Sequence, residues 1–231
     1  MPFNHVSRID DLVPVRNAIV SVYDKGGLAD LARGLVESCP GLHIYSTGGT
    51  LAALRTLLGS AAEGVLVPME DYTGQPEMKG GLVKTLDWRI YLGLLSEPYD
   101  PDHAADRERS GAVAFDLVVG NLYPFGSVSS APGPFETARQ NIDIGGPCML
   151  RAAAKNFLRV AGVCDPADYA AVLGELRGTG GRLGFATRAR LARKVFETTS
   201  RYDAAIAAFL DTTSVAALRS AYEVIDGPPP T

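Results

Sequence analysis

The segment Asn141–Asn156, NIDIGGPCMLRAAAKN, brings an acid, a Gly-Gly-Pro break and two cations close together. Asp143 stands just before the glycines. Arg151 and Lys155 are four residues apart and so share one face of a helix. The three alanines between them allow another surface to approach closely. A carboxylate and an amine delivered to one pocket could move protons, although Asp143 could equally be a helix cap and Lys155 a solvated surface lysine. The STGGT run, Ser46–Thr50, sets two glycines and three hydroxyls at a helix start, where main-chain N–H groups and the helix dipole favour a phosphate. Its plainer reading is a strand-to-helix turn capped by a threonine. Lys25, from a neighbouring loop, strengthens the phosphate reading. Lys84, in VKTL, has apolar flanks, and partial burial or a second cation would lower its pKa into a useful range. Tyr123 precedes Pro124, which restricts its backbone. It is either a site residue or a core aromatic at a strand end.

Strand-like and helix-like runs alternate along the chain, and they would position these residues. NAIVSVY (Asn17–Tyr23), LHIY (Leu42–Tyr45), VLV (Val65–Val67) and FDLVVG (Phe115–Gly120) are short apolar runs bounded by polar residues, the mark of buried strands. VAGVCDP adds another. GLADLARGLVES and TLAALRTLLG carry helical stripes between them. βαβ units of this kind predict a parallel sheet with right-handed crossovers. PADYAAVLGELRG and the long ATRARLARKVFETTSRYDAAIAAFL read as later helices. The Gly/Pro-rich stretches near Ser127–Pro134 and Gly178–Gly184 read as loops. In such sheets ligands bind beyond the carboxyl ends of the strands. Tyr23-Asp24-Lys25, Ser46–Thr50 and Asn121–Tyr123 all follow strands and converge there.

Composition narrows the function class. Across 231 residues, 46% are hydrophobic, enough for a real core. A net charge of −4 argues against a nucleic-acid binder but leaves room for a basic pocket. Cys39, Cys148 and Cys164 are odd in number and lack metal-type spacing, so they read as free thiols of a reducing compartment. His5, His43 and His103 are scattered, and no metal site is expected. The polar N-terminus has no signal-peptide core, and no run reaches the length of a membrane span. The expectation is a soluble cytoplasmic protein.

SVYDKGGL, STGGT, DYTGQPEM, VKTL, DLVVGNLYPF, NIDIGGP, RAAAKN and YDAAIA occur in the same order as in the IMP cyclohydrolase domain of the bifunctional purine-biosynthesis enzymes. The chain resembles that domain from about Asn17 to Leu210. The resemblance implies an α/β, three-layer, mainly parallel Rossmann-like sheet of the methylglyoxal-synthase type with added C-terminal helices. It implies one cyclohydrolase-like domain over residues 1–231, without the family's larger formyltransferase domain. The family closes the six-membered ring of a 5-formamidoimidazole-4-carboxamide ribonucleotide to give inosine monophosphate and water. By resemblance, Lys155 transfers the proton with help from Asp143, and Lys84 and Tyr123 stabilise the oxyanion. The substrate-binding positions are Tyr23, Asp24, Lys25, Ser46, Thr47, Gly48, Gly49, Thr50, Val83, Thr85, Asn121, Ile144 and Gly145. No cofactor or metal is implied. The partners implied are a nucleotide substrate, a second copy in a homodimer and a separate formyltransferase upstream; no nucleic acid or membrane partner is implied.

The departures from the family pattern cluster. Leu82 stands where an arginine is usual before VKT. Asp87-Trp88-Arg89 and Tyr91-Leu92-Gly93 replace His-Pro and a later His-Gly. Tyr23-Asp24-Lys25-Gly26-Gly27 replaces Ser-Asp-Lys-Thr-Gly. The reactive positions are kept while the recognition positions change, as expected of a paralogue acting on a related heterocycle. A catalytically silent nucleotide-binding module is the other alternative. Arg89 is long enough to reach back and replace the lost cation.

Overall fold

The computed structural model describes residues 5–76, 84–130 and 133–225. In chain order the elements are β1 (Leu12–Pro14), β2 (Asn17–Val22), α1 (Leu28–Ser38), β3 (His43–Ser46), α2 (Gly48–Leu58), β4 (Leu66–Pro68), α3 (Met69–Thr73), α4 (Trp88–Leu95) and α5 (Pro101–Ser110). They continue with β5 (Leu117–Asn121), α6 (Phe125–Ser130), α7 (Phe135–Gln140), α8 (Gly145–Lys155), β6 (Ala161–Val163), α9 (Tyr169–Thr179), β7 (Arg182–Gly184), α10 (Phe185–Thr212) and α11 (Val215–Ser220). Two compact units emerge. The larger comprises Met1–Leu122 and Ile144–Glu197, the smaller Tyr123–Asp143 and Thr198–Thr231.

The larger unit is built on a five-stranded sheet of order β4-β3-β2-β5-β6, in which every neighbouring pair is parallel. Alternation along the strands divides its two faces. Ala18, Val20, Val22, Ile44, Leu117 and Val119 pack with residues of α1, α2 and α9. Ile19, Tyr45 and Val118 pack with α4, α8 and the start of α10. The result is the three-layer parallel architecture expected from the sequence, with the four central runs in place to within two residues at each end.

Two stretches read as loops hold structure. The Gly178–Gly184 region contains the end of α9 and then β7, which pairs antiparallel with β1. Each of these strands has three residues and one buried side chain, Val13 or Leu183, too little alternation to show in a sequence. Gly181, at φ +82°, lets the chain turn against α1: a Cβ there would stand 2.6 Å from the Ser38 carbonyl oxygen. Within Ser127–Pro134, residues through Ser130 belong to α6, a helix with little intrinsic propensity. None of the three cysteines is in a disulfide. Cys39 and Cys164 are buried, and burial pushes the Cys39 thiol up to about 11.

Arg188, on α10, is fully buried. Its Nε donates to the Phe157 carbonyl (3.0 Å), Nη1 to Asp11 (2.9 Å) and Leu183 (2.5 Å), and Nη2 to Asp10 (2.7 Å) and Leu158 (3.1 Å). All five guanidinium N–H groups are therefore used. One side chain joins the segment before β1, strand β7 and the turn between α8 and β6. Burial lowers its pKa, and Asp11 and Asp10 oppose that shift.

The smaller unit is held by aromatic contacts. Phe135 stacks on Phe209 at 5.9 Å, and Phe125 meets Phe209 and Tyr202 edge-on. Among the described residues, no helix is long and apolar enough to cross a membrane.

Arg188→Met should destabilise the protein by more than about 3 kcal/mol, because it leaves buried carbonyls unpaired. Arg188→Lys should recover only part of this loss, since an ammonium lacks the planar fork of donors. Urea denaturation of the three proteins checks both statements.

Candidate functional site

The carboxyl ends of β2, β3, β4 and β5 lie side by side, with Val22 in register with Asn121 and Ser46 with Pro68. Asn121 organises the first loop. Its Oδ1 accepts from the main-chain N–H groups of Tyr23 (2.6 Å) and Asp24 (2.9 Å), and its Nδ2 donates to the Asp24 carbonyl (2.8 Å). Asp24 Oδ1 in turn accepts from the Gly26 N–H, and Lys25 Nζ curls back to the Val22 and Tyr23 carbonyls. The Tyr23 side chain is exposed.

The Ser46–Thr50 segment divides its labour. The buried Ser46 hydroxyl donates to the Val20 carbonyl (2.7 Å), and the buried Thr50 hydroxyl donates to the Val22 carbonyl (2.9 Å). The first ties the end of β3 to β2, and the second braces α2 on β2. Thr47 is the N-cap residue but makes no side-chain cap. Lys84 comes over this helix start, with Nζ 2.7 Å from where a Cβ on Gly48 would stand. Gly48 has φ +45°, a backbone conformation that favours glycine, whereas the Lys84 tip is flexible and could shift. Gly49 faces open space. Ser46, Thr47, Gly48, Glu70, Gln75 and Lys84 line a shallow cleft.

The next residue, Thr85, serves a second helix. Its Oγ1 lies 2.8 Å from where a Cβ on Gly145 would stand, at the first residue of α8. Ile144, the N-cap of α8, is exposed and cannot cap by side chain. Adjacent residues of VKTL thus approach the glycine starts of two helices, and neither helix has a side-chain cap. Such a junction suits an anionic or strongly accepting group. Val83 and Leu82 lie outside the described residues.

Helix α8 carries Arg151 and Lys155. Ala152, Ala153 and Ala154 are buried, and Ala153 packs against Gly162 of β6, so the alanine run lets helix and sheet approach closely. Arg151 and Lys155 are both exposed, as their spacing requires. Asn156 fixes the end of this helix: its buried Nδ2 donates to the Leu94 (2.7 Å) and Ser96 (3.0 Å) carbonyls. Tyr123 and Asp143 belong to the smaller unit, with the Tyr123 carbonyl accepting from the Phe125 N–H (2.8 Å). The Asp143 main-chain N–H donates to the Tyr202 hydroxyl (2.7 Å), which itself donates to the Asn141 carbonyl (3.1 Å). Burial raises the Tyr202 pKa, and the Asp143 N–H opposes it.

The family model described as AICARFT/IMPCHase bienzyme matches residues 153–225. The bifunctional purine biosynthesis protein PurH of Chlorobium luteolum is 50% identical over 197 residues, covering 85% of this chain and 36% of that protein. PurH of Chlorobium phaeovibrioides is 48% identical over 210 residues, covering 89% and 39%. A crystal structure of ForH superposes with a TM-score of 0.73 at 33% identity, covering 85% of this chain and 97% of ForH. The chain belongs to the AICARFT/IMPCHase family. It spans a little over a third of the length of these PurH relatives.

Against the family pattern, the structure shows what the departures do. Arg89 does not line the cleft. Its Nη2 donates to the Thr73 carbonyl, its Nε lies 3.8 Å from Asp87, and its guanidinium sits 5.7 Å from the Tyr72 ring. Asp87 is 4% exposed and caps α4 by accepting from the Arg89 N–H (2.8 Å). Trp88 is 61% exposed. The Tyr91 hydroxyl is buried with no partner among the described residues, and burial pushes its pKa up. Sequence reasoning missed Asn156 and Tyr202 as positioning residues. Both were visible as the last residue of RAAAKN and the first of YDAAIA, but their roles depend on carbonyls distant in sequence.

Gly48→Ala should cost roughly 1–3 kcal/mol through its left-handed backbone and displace the Lys84 ammonium. Gly49→Ala, one residue on, should be neutral or stabilising by up to about 1 kcal/mol, because alanine favours the helix. Denaturation curves for both variants, with titrations of inosine monophosphate, check this; equal effects would show that Gly48 is not specially constrained.

Proposed function

We propose that the chain is a cyclohydrolase that closes the six-membered ring of a 5-formamidoimidazole-4-carboxamide ribonucleotide, or of a close analogue with the same two neighbouring groups. The observation that carries this reading is the Lys84-Thr85 segment lying over the starts of α2 and α8, in a chain about half identical to PurH. The carboxamide nitrogen forms a bond to the formyl carbon, and the formyl oxygen gathers charge before it leaves as water. One hydrogen of that water comes from the carboxamide nitrogen and the other from the formamido nitrogen. Both reacting groups are held on one ring, so orientation supplies much of the effective concentration.

The chain's residues would then act as follows. The helix start at Gly48, with Lys84 beside it, favours the anionic end of a nucleotide. Lys84 and Tyr123 stabilise the oxygen as its charge develops. Lys155 moves the proton, assisted by Asp143. Asn156 fixes the α8 end that carries Lys155, and Tyr202 fixes the Asp143 main chain.

A substrate altered at its heterocycle or sugar is the second reading, favoured by one group of observations. The two positions where the family usually has histidine hold a buried Asp87 and a Tyr91 with an unpartnered buried hydroxyl. Arg89 is engaged by Thr73, Asp87 and Tyr72, which leaves no described replacement for the arginine missing at Leu82.

Mixing the protein with the formylated ribonucleotide and following ring closure by ultraviolet absorbance tests the proposal. Turnover is expected, and Lys155→Ala or Asp143→Ala should lower it roughly 100-fold or more with smaller changes in affinity. Near-normal turnover by Lys155→Ala would remove Lys155 from its role. Binding of inosine monophosphate without any turnover would identify a silent nucleotide-binding module.

A further inference from the structure

Gln75 lines the cleft beside Lys84, and its Nε2 donates to Asp87 Oδ2 at 2.9 Å. Asp87 is almost wholly buried, and its other oxygen accepts from the Arg89 N–H at 2.8 Å. A carboxylate accepts and does not donate, so only the amide nitrogen of Gln75 can face it. The nitrogen and oxygen of the amide diverge from Cδ. With Nε2 on Asp87, the Oε1 carbonyl faces away from Asp87. The backbone is fixed as well. The Gln75 N–H donates to the Thr73 hydroxyl (3.3 Å), that hydroxyl donates to the Met69 carbonyl (3.0 Å), and Arg89 Nη2 donates to the Thr73 carbonyl.

We propose that Gln75 is a specificity-determining residue of the cleft, presenting a fixed carbonyl acceptor to a hydroxyl or N–H donor of the ligand, and that Asp87 is the positioning residue that fixes this orientation. The inference rests on the ring-closure reading for the identity of the site and deepens it. An anion-binding helix start lies along the same cleft as an acceptor whose rotation is locked by a buried carboxylate. A ligand that offers an acceptor at this point meets an oxygen and is rejected. An amide free to rotate would accept either. This gives Asp87, a buried departure from the family pattern, a role in selecting the ligand.

The test is a protein-by-ligand cycle read by calorimetric titration. The probes are inosine monophosphate, its 2′,3′-dideoxy analogue, which lacks the sugar donors, and its 1-methyl analogue, which lacks the base donor. In the unaltered protein, one analogue should bind roughly 3- to 10-fold more weakly than the parent, the worth of one neutral hydrogen bond. Which analogue loses affinity tells whether sugar or base supplies the donor. Gln75→Met keeps the side chain's length and should erase that penalty. Asp87→Asn lets the Gln75 amide pair in either orientation, so it should shrink the same penalty while leaving the other analogue's binding unchanged. A merely structural role of Asp87 would weaken all three probes alike and would overturn its assignment. Equal penalties in the unaltered protein and Gln75→Met would overturn the role of Gln75 and leave the ring-closure reading standing. No binding of inosine monophosphate by the unaltered protein would overturn that reading, and this inference with it.

Discussion

A single buried guanidinium holds the larger unit's frame. Arg188 has no exposed surface, and each of its N–H groups ends on a main-chain carbonyl from Asp10, Asp11, Phe157, Leu158 or Leu183. A buried charge is tolerated only when its donors are all met. That condition fixes four backbone segments at once. One of them is the turn that follows α8, immediately beyond Asn156. Arg159 acts similarly nearby: it reaches the Phe115 carbonyl at 2.8 Å, the Gly93 carbonyl at 2.6 Å and Asp116 at 3.3 Å. Charge-assisted hydrogen bonds at the amino ends of the strands thus support helices whose working residues lie elsewhere.

The site side of the sheet is governed by close approach. Lys84 and Thr85 come close to the starts of α2 and α8 at Gly48 and Gly145, where no side chain intervenes. The alanines of α8 do the same for its contact with the sheet. Small residues here let side chains and whole elements approach one another closely. The hydroxyls of Ser46 and Thr50 are turned inward to hold β3 and α2 on β2. A motif that looks uniformly suited to phosphate therefore contains both frame and site.

Much of the fold was legible because the signal is local. Four apolar runs with helical stripes between them require a parallel sheet covered on both faces, and the order of elements leaves few topologies. The ribbon of β1 and β7 was not legible, since three-residue strands with one buried side chain each carry no usable period. Arg188 was hidden for a related reason. In ATRARLARK several arginines fall on a helix, and only the packing of distant segments decides which one is buried. Asn121, Asn156 and Tyr202 have partners many residues away, so no spacing rule could assign their roles.

The sequence by itself determined the family and the parallel sheet, and it named Lys84, Tyr123, Asp143 and Lys155 as candidates by motif. These follow from residue type and order, which are one-dimensional. Tertiary structure alone decided which polar groups are committed to structural partners. It assigned Arg89 to Thr73 and Asp87 instead of the cleft, Thr50 to β2, and the Gln75 amide to a buried carboxylate. The physical reason is that a hydrogen-bonding group is defined by its partner's position. Those partners meet only when strands and helices from across the chain are packed together.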